Sequence, residues 1–88
     1  MINKHLTVKV PAGLHLRALG KIHRISREQQ CAILFEKENG EKANSESYFE
    51  MLALCAILGT TLQVTVDGPN EITALEMIQE VFENGAGI

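Results

Sequence analysis

The sequence predicts an α+β protein, an open-faced β-sandwich of order β-α-β-β-α-β-α whose four-stranded antiparallel sheet carries three helices on one face. Three observations predict it. Apolar and polar residues alternate around Leu6, Val8 and Val10 and again around Leu62, Val64 and Val66, the period of a half-buried strand. Elsewhere apolar residues recur at helical spacing over about 16–27, 48–58 and 71–83. The pair Asn39-Gly40 separates two short runs and marks a hairpin, because both residues tolerate positive φ. Helices that interrupt the strands of one antiparallel sheet stack on one side of it and leave the other partly wet.

The first strand is placed at about residues 4–10, with Leu6, Val8 and Val10 inward. The first helix, about 16–27, puts Leu19, Ile22 and Ser26 on one side with Ile25 nearby, and Gly20 allows its backbone to approach the sheet closely. His23, without an obvious partner, is assigned to the helix surface or its margin. Residues 31–36 are rich in β-formers and too short for a helix, and residues 41–44 return as the other arm of the hairpin. Ser45 or Ser47 caps the second helix, along which Tyr48, Met51, Leu52, Cys55 and Leu58 recur up to a terminating Gly59. This helix is apolar all round, with Phe49, Leu54 and Ile57 on its other sides, so part of it is available to a partner. The fourth strand spans residues 61–67. Asn70 caps a last helix whose Ala74, Leu75, Ile78, Val81 and Phe82 form an apolar stripe, Asn84-Gly85 ends it, and Ala86-Gly87-Ile88 is a loose tail.

Eighty-eight residues, 45% of them hydrophobic, suit one domain with one core, here taken as residues 1–88. No apolar run reaches the roughly 18 residues of a membrane span, and the first residues lack a secretory apolar core, so a cytoplasmic protein is expected. Cys31 and Cys55 lie among apolar neighbours without C-x-x-C spacing and are read as buried small hydrophobes rather than a disulfide. No His/Cys/Asp/Glu cluster offers a metal site, and no glycine-rich loop with a lysine offers a nucleotide site; no cofactor is expected.

The net charge of −3 conceals a strong asymmetry. Residues 1–27 hold Lys4, Lys9, Arg17, Lys21, Arg24 and Arg27 and no acid, whereas residues 28–88 hold Lys37, Lys42 and all eleven acids. On the first helix Arg17, Lys21 and Arg24 recur along one stripe, which fits an acidic partner, although three charges at this spacing also describe an ordinary solvated face.

His15 lies at the end of that stripe, in the segment Pro11-Ala12-Gly13-Leu14-His15-Leu16-Arg17-Ala18 that joins the first strand to the first helix. The amides of a first helical turn have no internal partners, and the helix dipole places about half a positive charge there. An anion beside His15 is therefore stabilised by the amides of Leu16, Arg17 and Ala18, with the Arg17 guanidinium as a two-point grip. A neutral imidazole, with an ordinary pKa of about 6.5, can attack phosphorus at physiological pH and release the group again. From spacing alone, a polar, solvent-facing cap is the favoured reading of His15, and the resemblance below is what shifts it.

The string Gly13-Leu14-His15-Leu16-Arg17-Ala18 resembles the active-site segment of the HPr family, the histidine-containing phosphocarrier proteins of the bacterial phosphoenolpyruvate-dependent sugar phosphotransferase system. Its usual form reads Gly-(Leu/Ile/Met)-His-x-Arg-Pro-Ala. The resemblance extends to the element order of nearly the whole chain and implies a cytoplasmic, monomeric carrier rather than a stand-alone enzyme. It implies that Nδ1 of His15 accepts a phosphoryl group from the phosphohistidine of Enzyme I and passes it to an Enzyme IIA domain. Matching partner-binding positions are Leu16, Arg17, Gly20, Arg24 and Arg27 on the first helix and Tyr48, Phe49 and Leu52 on the second. Ser47 aligns with the serine that a dedicated HPr kinase modifies in many relatives; here Glu46 and Glu50 flank it, and simple capping is the competing role.

Two departures stand out. Ala18 occupies the family's usual proline position and restores an amide toward the anion, and bulky Leu16 replaces a small residue, so transfer is expected to be retained but altered. Two other readings share the fold. One is a carrier of the nitrogen-related branch, which Ala43-Asn44-Ser45 slightly resembles; the other is a regulatory binder that transfers nothing. A nucleic-acid-binding role is disfavoured by the acidity, the absence of Trp and the lack of an aromatic strand motif.

Overall fold

Seven elements follow the predicted order in the computed structural model, which describes residues 1–84: β1 (Ile2–Thr7), α1 (Leu16–Glu28), β2 (Ala32–Glu36), β3 (Lys42–Asn44), α2 (Tyr48–Ala53), β4 (Thr61–Asp67) and α3 (Glu71–Asn84). The tail expected over 86–88 lies outside the described residues, as does Gly85. The strands form one antiparallel sheet in the order β1-β4-β2-β3. Leu6 stands opposite Leu62, Val66 opposite Ile33 and Val64 opposite Phe35, so alternation on each strand delivers its apolar set to one shared face. The other face carries His5, Gln63, Glu36 and Lys42 in one row across all four strands.

The core is filled by Leu19, Ile22 and Ile25 of α1, Met51 of α2, and Ala74, Ile78, Val81 and Phe82 of α3 against the sheet's buried face. Phe35 stacks with Phe82 at a centroid distance of 6.1 Å, joining β2 to α3. The Phe82 carbonyl also accepts from the Lys9 N–H at 2.8 Å, which ties the end of α3 to the chain leaving β1. Buried Ser26 donates to the Cys31 carbonyl at 2.7 Å and so satisfies the turn between α1 and β2.

Several expectations are corrected. β1 ends at Thr7, and Val10, expected inward, is only half-buried, because the bonds Val8 N–H to Thr60 and Lys9 N–H to Phe82 already lead the chain away from the ladder. In the hairpin only Gly40 takes a positive φ, of 93°. The Gly40 N–H donates to Lys37 and the Lys37 N–H to Glu41, a three-residue loop closed by a left-handed glycine. Gly20 faces Tyr48, not the sheet. Asn70 precedes α3 and its carbonyl accepts the Ala74 N–H, but its side-chain amide donates to the Gln29 carbonyl.

The largest correction concerns α2. It ends at Ala53, five residues short of the expected Leu58, and Cys55 takes a left-handed φ of 53°. Met51, Leu54 and Ala56 are buried while Leu52, Cys55, Ile57 and Leu58 are exposed, so Cys55 is not the buried hydrophobe its neighbours indicated. Cys31 is buried as expected, and both thiols are free. The cause of the early stop is tertiary. The Ala56 carbonyl accepts from Leu14, and Gly59 N–H donates to Val8, which draws the chain out of the helix and back toward β1.

Candidate functional site

His15 is the N-cap residue of α1. Its backbone is extended, with φ −82° and ψ 176°, and its side chain makes no capping bond. The turn before it is closed by Gly13 N–H to the Val10 carbonyl at 2.8 Å and by His15 N–H to the Gly13 carbonyl at 3.1 Å. Gly13 is required on two counts. Its φ is 71°, and a Cβ there would stand 2.8 Å from the Ala56 carbonyl oxygen and 3.0 Å from Ile57 Cα.

The first bond of the α1 ladder runs from the Leu19 N–H to the His15 carbonyl at 3.0 Å. The amides of Leu16, Arg17 and Ala18 precede it and remain available to an anion. Among the described residues the half-buried His15 ring has no hydrogen-bond partner, so the imidazole is not spent on a structural role. Ala18 is 1% exposed: its methyl packs in the core while its backbone supplies the third amide of the turn.

Arg17, Arg24 and Arg27 are exposed and Lys21 is half-buried. The ion pairs among the described residues join the N-terminal ammonium to Asp67 and Glu71, so none of these α1 cations is neutralised by a neighbouring carboxylate. The positive potential of the stripe reinforces that of the helix end.

The chain from Ser45 to Ala56 runs alongside α1 in the opposite direction. His23 Nδ1 meets the Ser45 carbonyl at 3.0 Å, Tyr48 Oη would lie 3.6 Å from a Cβ on Gly20, and Ala56 bonds Leu14. This arrangement brings α2 and the loop after it beside the His15 segment. Leu16 is 61% exposed and Phe49 81%, with Tyr48 and Leu52 less so, and Gly20 is half-buried beneath Tyr48. An apolar patch therefore adjoins the cationic stripe.

Ser47, not Ser45, caps α2: its Oγ accepts the Glu50 N–H at 3.1 Å, while the Glu50 carboxylate accepts the Asn44 N–H at 2.8 Å. Ser45 is buried, and its hydroxyl has no partner among the described residues.

Two contributors escaped the sequence reading. The 54–58 loop, which buttresses Gly13 and adds exposed Ile57 and Leu58, carries a helical pattern in the sequence, and its excess of apolar residues is the one local sign of exposure. His23 finds partners in Ser45 and in the Tyr48 ring, whose centroid lies 5.0 Å away, and nothing local to its sequence indicates either. Among the described residues no group of three His, Cys, Asp or Glu side chains could hold a metal ion, and no helix is long and apolar enough to cross a membrane.

Fold and site together define a small open-faced α+β domain organised around one imidazole at the amide end of a basic helix. The family model described as the PTS HPr component phosphorylation site matches residues 2–84. The chain is 36% identical over 85 residues to the phosphocarrier protein HPr of Xylella fastidiosa strain Temecula1, covering 96% of this chain and 93% of that one. It is 25% identical over 73 residues to the phosphocarrier protein NPr of Klebsiella oxytoca, covering 83% and 81% of the two chains. The crystal structure of a phosphocarrier protein HPr from Bacillus anthracis superposes with a TM-score of 0.83 over 92% of this chain and 95% of that one, at 22% identity, a likeness of fold. The chain belongs to the HPr family of phosphocarrier proteins.

Proposed function

We propose that the chain acts as one cytoplasmic phosphocarrier domain that takes a phosphoryl group on His15 from the phosphohistidine of Enzyme I and passes it to an Enzyme IIA domain. The observation that carries this reading is the unpartnered His15 ring at an N-cap followed by three amides outside the helix ladder. In the acceptor step, a lone pair of the neutral His15 imidazole attacks phosphorus. The new N–P bond forms as the donor's N–P bond breaks, and the electron pair returns to the donor imidazole. The incoming group carries close to two negative charges, which the amides of Leu16, Arg17 and Ala18 and the Arg17 guanidinium offset. Partners then dock on Leu16, Gly20, Arg24, Arg27, Tyr48, Phe49 and Leu52, and an acidic partner surface complements the arginines.

The test is incubation with Enzyme I and phosphoenolpyruvate. Wild type should gain one acid-labile, base-stable phosphate and His15→Ala none; an unlabelled wild type would leave only a regulatory binder. Likeness to the NPr protein favours a second reading, the nitrogen-related branch. Competition between sugar-branch and nitrogen-branch acceptor domains for the labelled chain separates the two. For Ser47 we retain the capping role, and treatment with HPr kinase and ATP tests the regulatory alternative.

A further inference from the structure

We infer that His23 is a positioning residue for partner docking: by clamping the lead-in of α2 to α1, it sets where Tyr48 and Phe49 stand beside His15. The inference rests on the docking surface proposed above. Residues 44–50 form a knot tied mostly to itself. The Asn44 carbonyl accepts from Ser47 N–H, Asn44 Oδ1 from Glu46 N–H, Glu50 Oε1 from Asn44 N–H, and Ser47 Oγ from Glu50 N–H. Such a knot moves as a unit between its two attachments, the end of β3 and the buried Met51 of α2.

The sheet holds its start, where Asn44 stands opposite Leu34 and the Ser45 N–H donates to the Ile33 carbonyl at 3.0 Å. α1 adds two more: His23 Nδ1 on the Ser45 carbonyl and the tilted His23–Tyr48 ring contact. The Ser45 carbonyl can only accept, so Nδ1 carries the hydrogen. Ser45 is fully buried, so removing the donor strands a carbonyl that water does not readily reach. Tyr48 lies between His23 and Gly20, and the knot ends in Phe49, the most exposed aromatic residue of the patch. A rotation of the knot would therefore move the docking surface while leaving the amides around His15 in place.

The experiment compares wild type with His23→Ala, His23→Phe and His23→Asn in Enzyme I-dependent phosphorylation, resolving KM from kcat, and follows hydrolysis of the isolated phosphoprotein. Loss of one such bond predicts about a three- to tenfold rise in KM for the alanine variant, with kcat and hydrolysis rate unchanged. Asparagine, whose amide can donate from nearly the same place, should recover most of the loss; phenylalanine, which keeps the ring but not the donor, should not. Tyr48 is the chain's one tyrosine and no tryptophan is present, so its intrinsic fluorescence reports the His23 contact without any partner. It should change in the alanine variant. A KM within twofold of wild type despite that fluorescence change overturns the inference, as does a loss confined to kcat or failure of asparagine to rescue. Should the alanine variant not fold, the phenylalanine and asparagine pair decides on the same criteria. Absence of transfer to wild type overturns the carrier reading itself and the inference with it, an outcome distinct from a wild type that works and variants that match it.

Discussion

The Leu14 amide donates to the Ala56 carbonyl at 2.9 Å, tying the residue before His15 to the loop that follows α2. Through this bond the segment leading into α1 and the loop after α2 brace each other. Gly13 lies in the crevice between them, with no space for a side chain.

Gly13→Ala places a Cβ against the Ala56 carbonyl at a left-handed φ. The expected cost is about 2 kcal/mol or more, from backbone strain plus displacement of the 54–58 loop. Thermal denaturation should show a midpoint lower by about 8 °C or more, and transfer to His15 should slow more than the lost stability alone accounts for.

Ala18→Pro removes the third amide of the α1 mouth without breaking a ladder bond, since the first of these starts at Leu19. The fold should persist. With one charge-assisted hydrogen bond fewer, the phosphohistidine lifetime at neutral pH should shorten by about three- to tenfold, measured as release of inorganic phosphate.

Arg17→Lys keeps the charge and loses the forked grip. Circular dichroism should be unchanged, because Arg17 is exposed and has no ion pair among the described residues, while phosphoryl transfer falls by about tenfold. Equal rates for the two proteins would assign the phosphoryl group to the backbone amides alone.

Ser47→Ala deletes the cap of α2 and should cost about 1 kcal/mol in urea unfolding. Ser47→Asp retains an acceptor for the Glu50 N–H and should stay within a few tenths of a kcal/mol of wild type, its gain at the helix N-terminus offset by repulsion from Glu46 and Glu50. A stable alanine variant would remove the capping role.

Phe82→Ala empties a fully buried position stacked on Phe35. A loss of about 3–5 kcal/mol is expected, enough to leave a domain of this size marginally folded. Partial unfolding at 25 °C, read by amide hydrogen exchange in α3, is the direct measurement.

What residue order determined alone was everything governed by a local period. The alternation at Leu62, Val64 and Val66 selected the buried face of β4, the spacing of Leu19, Ile22 and Ile25 selected that of α1, and the run from Gly13 to Ala18 put His15 at a helix start. Tertiary contact decided what no window of neighbouring residues contains. The end of α2 was set by Leu14 and Val8, far away in sequence, whose bonds to Ala56 and Gly59 outweighed an apolar pattern that reads as helix through Leu58. Exposure of Cys55 and the partners of His23 followed from that same packing. Periodicity records which side of an element faces apolar surroundings, whereas the point where an element stops depends on which distant backbone groups compete for its hydrogen bonds.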